Sequence, residues 1–255
     1  MNQQQVPIQT KDGICTAWVS TPEAKGPWPG VIFYMDGFGI RPAMIEMATH
    51  IAKQGYVVLL PDLYYRFGAY GPFVPKEVLK GDFRALMGPM MASTDNHKAA
   101  EDTAAFLSYL DSRDDIAGDK VGTVGFCMGG GMALTAAGYY PDRVAAVASF
   151  HGSRLATDLP TSPHLVASQI KAEVYVAGAD KDQGYPPEMA QRLEDTLTEA
   201  GVRHKCEIYA GKMHGWMKPD MPVYDAEAAE RGWRELFALY ARRLVSGTRA
   251  RALIE

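Results

Sequence analysis

The segment Gly125-Phe126-Cys127-Met128-Gly129-Gly130 carries the strongest chemical signal in the sequence. It follows the apolar run Lys120-Val121-Gly122-Thr123-Val124 and precedes the helix-forming Met132-Ala133-Leu134-Thr135-Ala136-Ala137. A G-x-C-x-G at a strand-to-helix turn brings strand and helix too close for side chains at 125 and 129. It also forces the central residue into a strained conformation that projects it outward. A cysteine so placed stands at the carboxyl end of a sheet, where a helix N-terminus favours its thiolate. The amide of Met128 points at the same spot and can hold an oxyanion. A cysteine in a glycine-rich turn can instead be a buried structural residue. The strand-elbow-helix context separates Cys127 from Cys15 and Cys206, which lie within apparent strands and read as core.

A thiol nucleophile needs a base, and the base needs a partner that fixes its tautomer. Of six histidines, His214 lies in Ala210-Gly211-Lys212-Met213-His214-Gly215-Trp216, a glycine-flanked loop after one apolar strand and before the last long helix. His50 and His97 fall on expected helices, His204 at a strand start and His164 in a Ser-Pro-His connector, which suits surface or packing roles. His151 ends the run Ala145-Ala146-Val147-Ala148-Ser149-Phe150 on the same rim as Cys127. It is a candidate pocket-lining residue, as are Tyr64 and Trp216. For the acid, Gly178-Ala179-Asp180-Lys181-Asp182-Gln183-Gly184-Tyr185-Pro186 offers two carboxylates. The Asp-x-x-x-Pro spacing to Pro186 favours Asp182 and leaves Asp180 as a turn residue; Asp180 stays the alternative. The order Cys, Asp, His holds with either.

These residues need a scaffold of strand ends. Short β-rich runs recur at 14–19, 30–35, 56–60, 120–125, 145–151, 172–178 and 204–209, several nearly continuous in Val, Ile, Tyr and Phe, as strands buried on both faces require. Helical spacing appears at 42–54, 97–111, 128–139, 186–200 and 225–245, the last placing Trp233, Leu236, Phe237, Tyr240 and Leu244 on one side. This alternation implies a mostly parallel sheet covered by helices. The run at 14–19 is separated from the next by the turn-rich Gly26-Pro27-Trp28-Pro29-Gly30, which predicts an antiparallel hairpin at one edge. Residues 62–95 break the alternation with Tyr64, Tyr65, Phe67, Tyr70, Phe73 and Phe83 and no sustained period. An aromatic excursion after a strand end reads as a cap over a pocket, or as a surface loop packing its own aromatics.

At 255 residues and 47% hydrophobic content the chain suffices for a single globular domain. A net charge of -4 with mixed signs offers no field for phosphate backbones, so nucleic acid is not an expected partner. Three cysteines without framework or zinc spacing suit free thiols in a reducing compartment, and no metal or organic cofactor is implied. No leader pattern or bilayer-length apolar run appears, so a cytoplasmic protein is expected. The basic end Arg249-Ala250-Arg251 is expected to fray.

Over nearly the whole chain these motifs resemble the dienelactone hydrolase family. The matching features are Gly-Phe-Cys-Met-Gly-Gly at the elbow, the aspartate turn, the His214-Gly215 loop, and Val31-Ile32-Phe33-Tyr34-Met35-Asp36-Gly37-Phe38-Gly39-Ile40, which looks like the family's strand ending in Glu-Ile-Phe-Gly-Val. The resemblance implies an α/β-hydrolase fold, a mostly parallel central sheet with helices on both faces, and a carboxylic ester or lactone hydrolase working through a Cys127, Asp182, His214 triad. It also implies a second oxyanion donor, the amide of Gly37, at the position of the family's isoleucine. In the family the glutamate holds the resting cysteine as a thiol until substrate displaces it. Here Asp36 takes that place, one methylene shorter, and modulates the nucleophile if it reaches it. His151-Gly152 replaces the family's Tyr-Gly, and 62–95 does not match the family's substrate-binding arginine and tyrosine, so dienelactone itself is not implied as the substrate. The expected partner is a small-molecule ester or lactone, and the chain a monomer or small homo-oligomer. Two other readings share the fold pattern: a non-catalytic small-molecule sensor, and a cysteine amidotransferase-like enzyme, whose His-x-Glu the sequence His214-Gly215-Trp216 lacks.

Overall fold

A computed structural model describes residues 2–245. Strands β1 (Asn2–Thr10), β2 (Gly13–Thr21), β3 (Trp28–Tyr34), β4 (Val57–Pro61), β5 (Ile116–Phe126), β6 (Val144–Phe150), β7 (Glu173–Lys181) and β8 (His204–Met213) form an eight-stranded sheet among the described residues, ordered β1-β2-β4-β3-β5-β6-β7-β8. From β4 through β8 every pairing is parallel. Val31 to Tyr34 of β3 and all five residues of β4 are buried, as expected for strands covered on both faces.

The covering helices are α1 (Pro42–Ala52), α2 (Pro75–Val78), α3 (Phe83–Met91), α4 (Asn96–Asp111), α5 (Met128–Tyr139), α6 (Pro187–Glu199) and α7 (Ala226–Leu244). Their placement on opposite faces is visible on β5. A Cβ on Gly122 would lie 2.8 Å from Tyr240 of α7, whereas the hydroxyl of the next residue, Thr123, donates to Ala133 O of α5. Successive strand residues point to opposite faces, so α5 and α7 sandwich the sheet. Sequence-local caps set the helix starts: Asp95 accepts from Lys98 N at 2.9 Å for α4, and Asp225 from Ala228 N at 2.9 Å for α7. On α7, Leu236 and Tyr240 are fully buried, and Trp233, Phe237 and Leu244 pack at the margin of the core.

The edge hairpin differs from the expectation. β2 does form an antiparallel hairpin, but with β1, and its other neighbour is β4; β3 lies one strand further in. β1 is concealed in the sequence because Gln3, Gln4, Gln5 and Gln9 face solvent, leaving only Val6, Ile8 and Thr10 to mark the inward side. The stretch 62–95 is not a structureless excursion: it holds α2 and α3, the latter started by Asp82, which accepts from Ala85 N at 3.0 Å. Among the described residues no helix is long and apolar enough to cross a membrane. The basic end at 249–251 lies outside the described residues.

Candidate active site

The elbow at the end of β5 is built from missing side chains. A Cβ on Gly125 would stand 1.9 Å from Gly129 O, and one on Gly129 would stand 2.2 Å from Tyr34 O of the neighbouring β3. Neither position admits another residue without moving backbone. Between them Cys127 takes φ 56°, ψ -117°, a left-handed conformation that glycine prefers. Its amide donates to Phe150 O at 3.0 Å, and it directly precedes the first turn of α5. The thiol therefore points out from the sheet's carboxyl end beside a helix N-terminus.

His214 comes to it from the turn that ends β8. Its Nδ1 lies 2.7 Å from Asp182 Oδ2, and of the charged groups around Cys127 it is His214 that acts most strongly on the thiol. Asp182 is buried, and its other oxygen accepts from Gly184 N at 2.8 Å, which fixes the carboxylate on a tight turn after β7. Asp180 is exposed and accepts from Gly211 N at 2.8 Å, so it braces the turn and does not meet the histidine. Burial pushes the Cys127 thiol up, but the His214 imidazolium, its hydrogen bond and the Lys218 ammonium outweigh it and bring the thiol down to about 7. For His214 burial acts downward, and the Cys127 thiolate together with the Asp182 bond reverses this and raises it.

The amides of Gly37 and Met128 donate no hydrogen bond to any group among the described residues. Tyr64 ties their two segments together: its hydroxyl donates to Gly37 O at 2.8 Å and lies 3.7 Å from Met128 Sδ. Beside Cys127 opens a cavity of about 650 Å³. Phe83, Arg84 and Met91 of α3 form one wall, and Ser153, Arg154 and Leu159 after β6 form the other.

The sequence profile of the dienelactone hydrolase family matches residues 15–244, which span this whole constellation. The chain belongs to that family. It is thereby an ester or lactone hydrolase of the α/β-hydrolase superfamily. A Synechocystis protein assigned as a carboxymethylenebutenolidase is 27% identical over 232 residues, covering 89% of this chain and 91% of its own. A Methylorubrum extorquens protein of the same assignment is 26% identical over 236 residues, covering 91% of this chain and 78% of its own. A Klebsiella pneumoniae structure assigned as a dienelactone hydrolase superposes with a TM-score of 0.83 at 22% identity, over 94% of this chain and 98% of its own, a likeness of fold.

The three residues expected to line the pocket lie behind it. His151, Tyr64 and Trp216 are fully buried and none reaches the cavity wall. Tyr64 is drawn inward by Gly37 O, and Trp216 is stacked on Tyr209 at 4.3 Å. His151, at φ 39°, fits between Phe126, Trp216 and His214, with its ring centre 5.2 Å from that of His214. Burial first, then His214 and Lys218, lower its pKa well below the ordinary range, so it stands there as a neutral imidazole.

Among the described residues the Asp36 carboxylate makes no hydrogen bond to Cys127; it faces Arg41 and Lys218, and its charge pushes the Cys127 thiol upward. Lys218 was not identifiable in the sequence as a neighbour of Asp36, because the contact joins positions 182 residues apart.

Proposed function

We propose that Cys127 is the nucleophile of a small-ester or lactone hydrolase that works through a thioester. The observation that carries this reading is the coincidence of a left-handed Cys127 at a helix N-terminus with a His214 whose Nδ1 is held by Asp182 at 2.7 Å and whose charge lowers the Cys127 thiol. The thiolate attacks the substrate carbonyl carbon, and the oxyanion is received by the free amides of Gly37 and Met128. Collapse expels the alkoxide, which takes the proton from the His214 imidazolium and leaves as alcohol, or as the far end of the opened ring. Neutral His214 then removes a proton from water as it attacks the thioester. The second tetrahedral species releases the carboxylic acid, and His214 keeps the proton opposite the regenerated thiolate. Asp182 holds the imidazole in the tautomer that presents Nε2 to sulfur throughout.

In this reading α3 and the turns after β6 serve as the cap, and a cavity of about 650 Å³ suits a substrate of modest size. Cys127→Ala is expected to lower turnover of aryl acetates by about 10⁴ to 10⁶ with the far-ultraviolet spectrum unchanged. Rapid-quench mass spectrometry of the wild type should trap an acyl group on the peptide containing Cys127. Turnover above a tenth of wild type in the alanine variant, or acylation at another residue, would remove the nucleophile assignment.

A further inference from the structure

The Gly37 amide, the second oxyanion donor of the proposed mechanism, sits in a tight turn after β3. Gly39 N donates to Asp36 O at 3.1 Å, which closes the turn over Gly37 and Phe38, and Phe38 N donates to Asp36 Oδ1 at 3.0 Å. The Gly37 N–H and the Asp36 carbonyl belong to one trans peptide unit, whose plane holds them antiparallel. Fixing the Asp36 carbonyl therefore fixes the aim of the Gly37 N–H. The turn stands at the cavity, since a Cβ on Gly37 would lie 3.6 Å from Sδ of Met91, a wall residue.

Arg41 grips this turn at both ends. NH1 donates to Asp36 Oδ1 at 2.7 Å and to Gly39 O at 3.1 Å, and NH2 donates to Asp36 Oδ2 at 2.9 Å. The other edge of the same guanidinium reaches the connection that carries His214. Nε and NH2 donate to the two oxygens of Asp220, six residues beyond His214, at 2.5 and 3.1 Å. Lys218, in that same connection, donates to Asp36 Oδ2. Asp36, Arg41 and Lys218 are wholly or almost wholly buried, and with Asp220 they balance two charges of each sign. Burial pushes the Asp36 carboxyl up, but Lys218 and Arg41 outweigh it and hold it below the ordinary carboxylate range, so the network is ionised.

A buried network of this kind is a weak source of stability, because desolvation cancels much of the Coulombic gain. What it supplies is geometry. The guanidinium is a rigid planar fork, and all five of its N–H groups are engaged, so the spacing between turn and connection is held within the tolerance of hydrogen bonds. Hydrolysis needs that spacing, since the Gly37 amide must meet the oxyanion while His214 serves the leaving group and the water. The sheet does not set it directly: β3 and β8, which lead into the two segments, are separated by β5, β6 and β7.

We propose that Arg41 is a positioning residue that aligns the oxyanion hole with the base. It holds the Asp36–Gly39 turn so that the Gly37 N–H points at the developing oxyanion, and it ties that turn through Asp220 to the connection carrying His214. This inference rests on the Cys127 nucleophile and the Gly37 donor proposed above. It gives Asp36 a part other than restraint of the thiol.

The test compares Arg41→Lys and Asp220→Ala with the wild type in three measurements. The first is kcat and KM for an aryl acetate. The second is the inhibition constant of an aryl trifluoromethyl ketone, which adds Cys127 reversibly and places an oxyanion where the tetrahedral intermediate has one. The third is alkylation of the Cys127 peptide by iodoacetamide at its high-pH plateau, a reaction that forms no oxyanion. Lysine keeps the charge but cannot form the fork. Arg41→Lys should lower kcat by about 30- to 100-fold and weaken the ketone by a similar factor, because an ångström of misplacement or a lost oxyanion donor costs about 10². KM and the alkylation plateau should stay within about two-fold of wild type. Asp220→Ala, which leaves the fork on Asp36 intact, should lower kcat by about ten-fold, and adding it to Arg41→Lys should cost less than about two-fold more, since both break one connection. Near-ultraviolet circular dichroism checks that each variant is folded. A merely structural arginine would lower the melting temperature without separating kcat from KM. A folded Arg41→Lys with kcat and ketone affinity within about three-fold of wild type overturns the proposal, as does a loss confined to KM. Asp220 is half-buried, so its variant decides if Arg41→Lys does not fold, and a kcat within about two-fold of wild type in Asp220→Ala also overturns it. Failure of the underlying reading is distinct: hydrolysis would survive Cys127→Ala, and the ketone would not add to Cys127 even with Arg41 in place.

Discussion

On the elbow side of the cavity, position is enforced by backbone against backbone: Gly125 and Gly129 touch main-chain atoms of α5 and β3, and Cys127 hangs from Phe150 O. On the opposite side, α3 and the segment after β6 present side chains, among them the half-buried Phe83 and Met91 and the exposed Arg84, Arg154 and Leu159. The first wall has no spare volume and the second has little else. Chemistry is therefore fixed by elements that cannot change without the sheet changing. Substrate fit is set by residues free to vary, as is usual for loops carried on a rigid α/β scaffold.

The contrast can be broken at several levels. The largest effect is expected at the elbow itself. Gly129→Val places a branched side chain where even a Cβ meets Tyr34 O at 2.2 Å, and it should yield no soluble folded protein. Recovery of a native circular dichroism spectrum would show that the strand and helix can separate. Next, Asp182→Asn should cost about 10³ to 10⁴ in kcat by releasing the imidazole tautomer. Asp180→Asn, which leaves a neutral amide oxygen in place of the carboxylate that accepts from Gly211 N, should change kcat less than about three-fold. Equal losses in the two variants would undo the assignment of the acid. The smallest effect belongs to the side-chain wall. Met91→Ala should raise KM by about three- to ten-fold while leaving kcat within about two-fold, the expected result of losing apolar contact that ground state and transition state share. A fall in kcat alone would mean that Met91 supports the Gly37 segment, which it approaches, more than it contacts substrate.

Local pattern determined what could be read beforehand. The buried runs at 30–35 and 56–60, the elbow, the histidine loop and the preference for Asp182 over Asp180 all rest on residues close together in sequence; in the structure it is Asp182, not Asp180, that meets His214. Two kinds of feature were hidden. Strand β1 shows solvent a row of glutamines, so its inward alternation is too thin to register against the polar background. The burial of His151, Tyr64 and Trp216 was hidden because rim position along the chain does not say which way a ring turns. Each found a filled interior site: Tyr64 on Gly37 O, Trp216 on Tyr209, and His151 behind His214. The pairing of Asp36 with Lys218 depends on two loops meeting, and no spacing rule reports that.

The left-handed backbone at Cys127 sets activity against thermal endurance. An L-residue held at φ 56° and ψ -117° carries about 1 to 3 kcal/mol of conformational strain, which glycine would not feel. Glycine returns part of that gain through its greater freedom when unfolded, about 0.5 to 1 kcal/mol. Cys127→Gly should therefore melt a few degrees higher than the wild type in a calorimeter while hydrolysing nothing. An unchanged or lower melting temperature would mean that the thiolate–imidazolium pair stabilises the native chain by as much as the turn destabilises it. On the reading proposed above, a higher melting temperature in Cys127→Gly would make the tip of the elbow a local compromise between durability and reactivity.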